Sequence, residues 1–358
     1  MVSASTLART TTATANAAAN GVLRRTAANA THTIETAAAA AASSYKISTI
    51  IFDVDDCLYD VSTGFTEHRN GEITWKYMVD HLHFTSMEDA RKVREKYFKI
   101  YHSTAKALTI AQAEGEFPIT APKFDTKHMS QYWVDHLNYE KLWNGSSSSS
   151  SSSSTSAGTS TINDAKQSKK ELHDALKGCP VQLVAFSNGP RAYVQKVLMT
   201  LGLWDLFGSS SSSTSSNHDN DNDGTFVFGV DDVLPYCKPE KEAFEKIFDV
   251  LNKNKRSNGN DNDNDNDTII RPEECIMVED SMKNIRAAKA LGMKTILITG
   301  KRITIGDEKD EEGIGESIVP CDSPVEDDPA VDVCMETIEE IRTRLPGLFN
   351  QIPPVFEP

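Results

Sequence analysis

Two carboxylates one strand-period apart are the first residues here that could do chemistry. Residues 51–60 read IFDVDDCLYD, an apolar run ending in Asp53 and Asp55. Two acids so placed can serve as a nucleophile and a proton donor, and can share a hard cation. The same pattern also ends ordinary strands in turns. Residues 184–189, VAFSNG, put Ser187 and Asn188 between an apolar run and a helix start. Free N–H groups and the helix dipole make such a place an anion site, or simply a capped helix. Lys238, in YCKPEKEAF, offers an ammonium just before another helix start, as a point charge for the same anion or as a surface lysine. Residues 275–284, CIMVEDSMKN, end a further apolar run in Glu279 and Asp280. Magnesium is commonly held by one or two carboxylates with waters and phosphate oxygens, which makes Asp280 the direct ligand and Glu279 a residue acting through water. Cys57 lies beside these acids without a nearby base and reads as packing.

The elements that must position these residues alternate. Strands are expected over 47–53, 181–187, 225–229, 275–279, 294–299 and 331–333, several apolar on consecutive positions as parallel strands covered on both faces are. Between them lie helical patterns. Pro190 suits a first turn, Val194, Val197, Leu198 and Leu201 mark one face, and Gly202 supplies a stop. Pro239 opens a helix that buries Phe244, Ile247, Phe248 and Leu251. Ser281 caps one that buries Met282, Ile285, Ala288 and Leu291 and ends at Gly292. Strand and helix repeated in this way mean a doubly wound α/β parallel sheet, whose ligands gather beyond the carboxyl ends of the strands.

One stretch departs from that alternation. After the first strand, Ile73, Tyr77 and His81, then Val93, Tyr97 and Ile100, recur at helical intervals. The expected organisation is a core of 46–60 and 161–345, a helical subdomain over 61–145, a Ser-rich linker at 146–160 and a tail at 346–358. Poly-Ser and Asn/Asp tracts at 146–161, 209–223 and 257–267 cannot bury apolar surface and should be flexible loops. The second and third fall in helix-to-strand connections, on the face away from the strand carboxyl ends. The first sits where the subdomain returns to the core. Residues 1–45, rich in Ala, Thr and Ser, carry only Arg9, Arg24 and Arg25 as charges before Glu35. They suit an organelle transit peptide or a biased extension equally, and an intracellular, soluble protein of the cytoplasm or an organelle is expected.

A formal charge of −15 argues against binding a nucleic-acid polymer, which needs clustered Lys and Arg. Much of the acid lies in the Asn/Asp tracts and in residues 307–328. No run of apolar residues is long enough to cross a bilayer, so no membrane partner is expected. The six cysteines form no C-x-x-C pair and no zinc spacing, and reduced thiols are expected. Nothing in the sequence speaks to oligomeric state.

Four signals in order, D-V-D, S-N, K-P and E-D, resemble the motifs of the haloacid dehalogenase superfamily over about residues 46–345. The helical stretch after strand 1 resembles that superfamily's first-type cap, which closes over substrate. FDVDDCLY, KYFKIYHSTAKAL, VDHLNYEKL, SNGPRAYVQKVLMTLGL and VEDSMKNIRAAKALGMKTILI are similar to pyrimidine 5′-nucleotidases of plant and fungal type, as is the closing VDVCMETIEEIRTRLPGL. The three inserts are foreign to that pattern. Glu279 stands where many members have Asp, and Asn284 where many have another Asp. The resemblance implies a magnesium-dependent phosphohydrolase acting on a small phosphomonoester, with a nucleoside 5′-monophosphate first among substrates. Asp53 would be the nucleophile and Asp55 the acid and base. Asp53, the backbone carbonyl of Asp55, and Asp280 would hold Mg²⁺, while Ser187, neighbouring amides and Lys238 would hold the phosphoryl oxygens. Thr104, His136 and Tyr139 are the cap positions for substrate choice. Asp55 favours phosphate esters over haloalkanoates, since a halide leaves without a proton. A sugar-phosphate mutase and a non-catalytic regulator are the competing classes; the second should have lost a catalytic carboxylate or the lysine, and none is lost.

Overall fold

The computed structural model describes residues 47–143, 157–207, 226–258, 269–300 and 327–349. The expectations for the extension, for residues 146–156 of the linker, for residues 209–223 and 259–267 of the core inserts and for the last nine residues of the tail lie outside the described residues.

Six strands, β1 (Thr49–Phe52), β2 (Gln182–Phe186), β3 (Val227–Phe228), β4 (Cys275–Glu279), β5 (Lys294–Ile298) and β6 (Val333–Met335), make one sheet. Its order is β3-β2-β1-β4-β5-β6 and every pairing is parallel. Strand side chains alternate between the faces, as the pleat requires. Ile50 and Phe52 join Val194 and Leu198 on one side, while Ile51 joins Phe244 and Ile247 on the other. Both sides are thus apolar, which explains runs such as the fully buried TIIF of β1. Chain order reverses across β1, with β2 on one side and β4 on the other. The crevice at that switch point is where such a sheet binds ligands.

Eight helices of eight residues or more are present among the described residues. Four form the insertion after β1: α1 (Thr74–Leu82), α2 (Met87–Tyr101), α3 (Thr104–Ala113) and α4 (Thr126–His136). Then come α5 (Ala157–Leu176), α6 (Arg191–Leu201), α7 (Lys241–Asn258) and α8 (Met282–Ala290). On α6, Val194, Val197, Leu198 and Leu201 are buried as the pattern requires, and Gly202 closes the helix at φ 72°. No described helix is long and apolar enough to cross a membrane. The described cysteines, Cys57, Cys179, Cys237, Cys275 and Cys334, form no disulfide with one another.

Several boundaries differ from expectation. The last strand is Val333–Met335 rather than 331–333, because Asp332 is occupied in accepting from the Thr295 amide at 2.9 Å and from Lys289. Helix α5 begins at Ala157, inside the expected linker. Within the expected tail, Pro346–Phe349 is a helical turn that buries Leu348. Pro239 does not open α7, which starts at Lys241; the Lys238–Pro239 peptide is cis. The largest difference is on α2. Its buried positions are Ala90, Arg94 and Tyr97, whereas Ile100 is 62% exposed. Val93 packs partly buried against the core beside Tyr97, but Arg94 shares that inward side and Ile100 turns outward.

Candidate active site

The carboxyl end of β1 delivers Asp53, whose amide donates to the Val278 carbonyl at 2.8 Å and so continues the ladder with β4. That pairing brings the end of β4, with Glu279 and Asp280, beside it. Lys238 arrives from the loop after β3, 1% exposed, with Nζ 2.7 Å from Glu279 Oε2 and 3.0 Å from Asp53 Oδ1. Asp53, Cys57 and Asp280 each point one ligand atom into a cluster no wider than 4.8 Å. The Cys57 thiol donates to Asp280 Oδ1 at 3.8 Å. Burial, then Asp280, push that thiol well up, so it stays a neutral S–H.

The charges in this cluster do not balance. Asp53, Glu279 and Asp280 face one ammonium. Burial and then Glu279 push the Asp53 carboxyl well above the usual range, against the pull of Lys238. Asp280 is pushed up by burial, Glu279 and Asp56. Glu279 goes the other way: burial opposes ionisation, but Lys238 outweighs it and holds the carboxyl low. Asp53 Oδ1 is also buried without a well-formed hydrogen bond, despite the nearness of Lys238. An uncommitted buried carboxylate oxygen, a second carboxylate and an unmatched negative charge suit a hard divalent cation.

Asp55 faces away from that cluster into a set of four donors. Arg69 Nη1 reaches Oδ2 at 2.6 Å and Ser187 Oγ reaches it at 3.1 Å. Tyr59 and Tyr193 hydroxyls donate to Oδ1 at 2.7 and 2.5 Å. Burial works against the charged form, but Arg69 and the tyrosines prevail and hold Asp55 below the usual carboxylate range. Next to it Asp56, absent from the sequence reading, accepts from Thr66 Oγ1 at 2.8 Å. Burial and the Asp55 charge push its carboxyl up to about 7.

Asp53, Asp55, Ser187, Asn188, Lys238, Glu279 and Asp280 thus lie at this end of the sheet, and two of them are engaged with Lys238. Asn188 spends its side chain on the Lys238 backbone, accepting from its N–H and donating to its C=O, both at 2.9 Å. In this arrangement its side chain positions the lysine. Glu279, 0% exposed, is the counter-ion of Lys238, with its other oxygen turned to the Ser281 amide at 3.3 Å. Ser187 follows β2 directly, its hydroxyl accepting from the Gly189 amide at 2.9 Å while donating to Asp55.

The loops after β2 and β3 are pressed together. Val230 donates to the Gly189 carbonyl at 2.9 Å. A Cβ on Gly229 would stand 2.1 Å from the Arg191 amide nitrogen. Gly229→Ala should therefore destabilise the fold by about 3 kcal/mol, the upper end for an inserted carbon with no room. The midpoint of urea unfolding checks this, and an unchanged midpoint would contradict the packing described.

The helical insertion meets the site at the junction of α2 and α3. Ser103 Oγ donates to the Asn188 carbonyl at 3.1 Å, Asn188 Nδ2 donates to the His102 carbonyl at 3.3 Å, and Lys106 pairs with Glu240. Lys283 Nζ lies 2.8 Å from His102 Nε2. The insertion thus sits over the strand ends as a cap. Thr104 belongs to this junction, and its Oγ1 accepts from Arg94 at 3.1 Å. His136 instead stacks on Tyr132, ring centroids 4.0 Å apart, and Tyr139 packs against Phe65 at 5.6 Å. Arg69, Tyr59, Tyr193 and Arg94 escaped the sequence reading.

The family model described as haloacid dehalogenase-like hydrolase matches residues 47–292. Similar solved structures include a HAD phosphatase from Thermococcus onnurineus, 16% identical over 84% of this chain and 99% of that one, with a TM-score of 0.41. The L-2-haloacid dehalogenase of Xanthobacter autotrophicus is 14% identical over 84% and 99%, with a TM-score of 0.38. CbbY from Rhodobacter sphaeroides in complex with phosphate is 13% identical over 82% and 96%, with a TM-score of 0.41. No curated protein matches the chain.

Proposed function

Because the chain belongs to the haloacid dehalogenase-like hydrolase family, we propose that it hydrolyses phosphomonoesters through an aspartyl-phosphate on Asp53. The observation that carries this reading is the pair Asp53 and Asp55 in opposite surroundings. One is buried with an uncommitted oxygen beside a lysine; the other is held ionised by four donors. An oxygen without a formed hydrogen bond is available to attack, and a carboxyl ringed by hydroxyl and guanidinium donors is placed to exchange protons.

Asp53 attacks phosphorus, forming a P–O bond to its carboxylate as the ester P–O bond breaks. Asp55 gives the departing oxygen its proton, and later removes one from the water that releases phosphate. As held here, Asp55 is in the ionised state that the second step needs. The first step requires its carboxyl to take up a proton and leave Arg69. Lys238 and Ser187 face the transferred oxygens, Lys238 as a charge and Ser187 as a donor. Asn188 and Glu279 keep the lysine in place. Asp53, Asp280 and the backbone carbonyl of Asp55 would hold Mg²⁺, which when bound offsets negative charge around the phosphoryl group.

The similarity of the quoted segments to pyrimidine 5′-nucleotidases makes a nucleoside 5′-monophosphate the first substrate to try. A phosphatase screen over nucleotides, sugar phosphates and lysophospholipids is the test. Phosphate release from at least one class, abolished by EDTA and restored by Mg²⁺, is expected. Activity unchanged by EDTA, or release of halide but no phosphate, would refute the proposal. Interconversion of glucose phosphates without phosphate release would instead identify a mutase.

A further inference from the structure

Arg94 occupies a place where an apolar side chain would do. It lies on the inward stripe of α2 with Ala90 and Tyr97, and is 5% exposed. Its guanidinium rests on the Phe98 ring, 3.7 Å from the centroid, which fixes its direction. Nη2 donates to Thr104 Oγ1 at 3.1 Å, and Nε is buried without an acceptor. Among the described residues no carboxylate is within ion-pair distance of it. Glu95, its neighbour on the helix, reaches Arg91 at 4.0 Å. Burial and Arg69 push Arg94 down to about 9, so it remains charged at neutral pH.

Its position relates it to the site from two directions. Through Thr104 it adjoins Ser103, which binds the Asn188 carbonyl in the loop after β2. It is also within electrostatic reach of Arg69, which lies against Trp133 and Tyr193 and neutralises Asp55. Of these two buried guanidiniums, Arg69 has Asp55 as its carboxylate partner, and Arg94 has no such partner among the described residues. A buried, unpaired charge costs several kcal/mol, and a leucine or methionine would fill the same stripe without that penalty. Such a cation is retained where an anion comes to meet it. A guanidinium fork with free N–H groups matches a carboxylate or a phosphate.

We infer that Arg94, with Thr104, forms a cap subsite for a second anionic group, a carboxylate or phosphate on the leaving alcohol of the substrate. The inference rests on the phosphomonoester reading and narrows it. The transferred phosphoryl group belongs with Lys238 and Ser187, and the charge read by Arg94 lies on the part that departs.

Substrate pairs that differ only by that charge test it. Phosphoglycolate against ethyl phosphate, orotidine against uridine 5′-monophosphate, and glucose 1,6-bisphosphate against glucose 6-phosphate cover both anions and several sizes. The full chain with Mg²⁺ should favour the more anionic member of the pair that fits best by about 10-fold or more in kcat/KM, the scale of one charge-assisted hydrogen bond. In Arg94→Met that ratio should collapse toward one, while Arg94→Lys keeps part of it. The melting temperature of Arg94→Met should equal or exceed the wild type's, since an unmatched buried charge is gone. Absence of any preference in the wild type, or a preference that survives Arg94→Met, overturns the subsite. A melting temperature lowered by several degrees with the ratio intact would show a structural arginine instead. Calorimetric binding of phosphoglycolate and ethyl phosphate to Asp53→Asn protein reads the same preference without turnover. Failure of the hydrolase reading and failure of the subsite are thereby told apart.

Discussion

Asp53→Asn should abolish phosphate release, by on the order of 10³-fold or more, while leaving the protein folded. An amide has the shape of the carboxylate but cannot attack phosphorus. It also removes a charge that the fold tolerates poorly. Asp53 is pushed up by burial and by Glu279, and a carboxyl raised above its unfolded value weighs against folding once it is ionised. The stability it contributes is present below the unfolded value near 3.8 and lost as pH rises through the folded value. At neutral pH the variant should therefore melt no lower than the wild type. Loss of turnover with an unchanged or raised melting temperature is the expected pair of results. Substantial phosphatase activity in purified Asp53→Asn protein at saturating Mg²⁺ would sink the nucleophile assignment.

Lys238→Met should be costly in both stability and rate. The ammonium lies between Glu279 and Asp53 at 2.7 and 3.0 Å, and removing it leaves a fully buried Glu279 without a counter-ion. Breaking one partner of a buried pair costs about 3–5 kcal/mol. The pH dependence has a definite sign. In the wild type Glu279 is depressed, so its contribution is full above the unfolded value near 4.5 and fades as pH falls through the folded value. Without Lys238 the same carboxyl rises, because burial has then lost its largest opponent, and acidification relieves it. The deficit of Lys238→Met should accordingly shrink between pH 7 and pH 5 in urea unfolding. The double variant Lys238→Met/Glu279→Gln should recover much of the stability and none of the activity. A pH-independent deficit under 1 kcal/mol would mean that the ion pair described here does not form in solution.

The placement of the chemistry at strand ends was legible because each carboxylate follows its own apolar run. The β1, β2, β4 and β5 segments are buried on both faces and show it as consecutive Ile, Val, Leu and Phe. The amphipathic faces of α6 and α7 were equally plain, since hydrophobic spacing reports which side of a helix turns inward. Less visible was β6, where Asp332 is diverted to Thr295 and the ladder starts two residues late. On α2 the pattern misled, because the inward position is filled by Arg94.

By itself the sequence determined the parallel sheet, the helical insertion after its first strand, and the residues collected at the strand ends. These follow from local periodicity, which is written within each segment. Only the tertiary structure decided the partners: Asp55 with Arg69, Ser187 and Tyr193, Lys238 with Glu279, Asn188 with the Lys238 backbone, and Arg94 with none of the acids among the described residues. Those pairings join segments up to 138 residues apart. Such contacts depend on how the sheet order and the cap bring side chains together, and on which buried charge finds an opposite one first. No spacing along the chain encodes that choice.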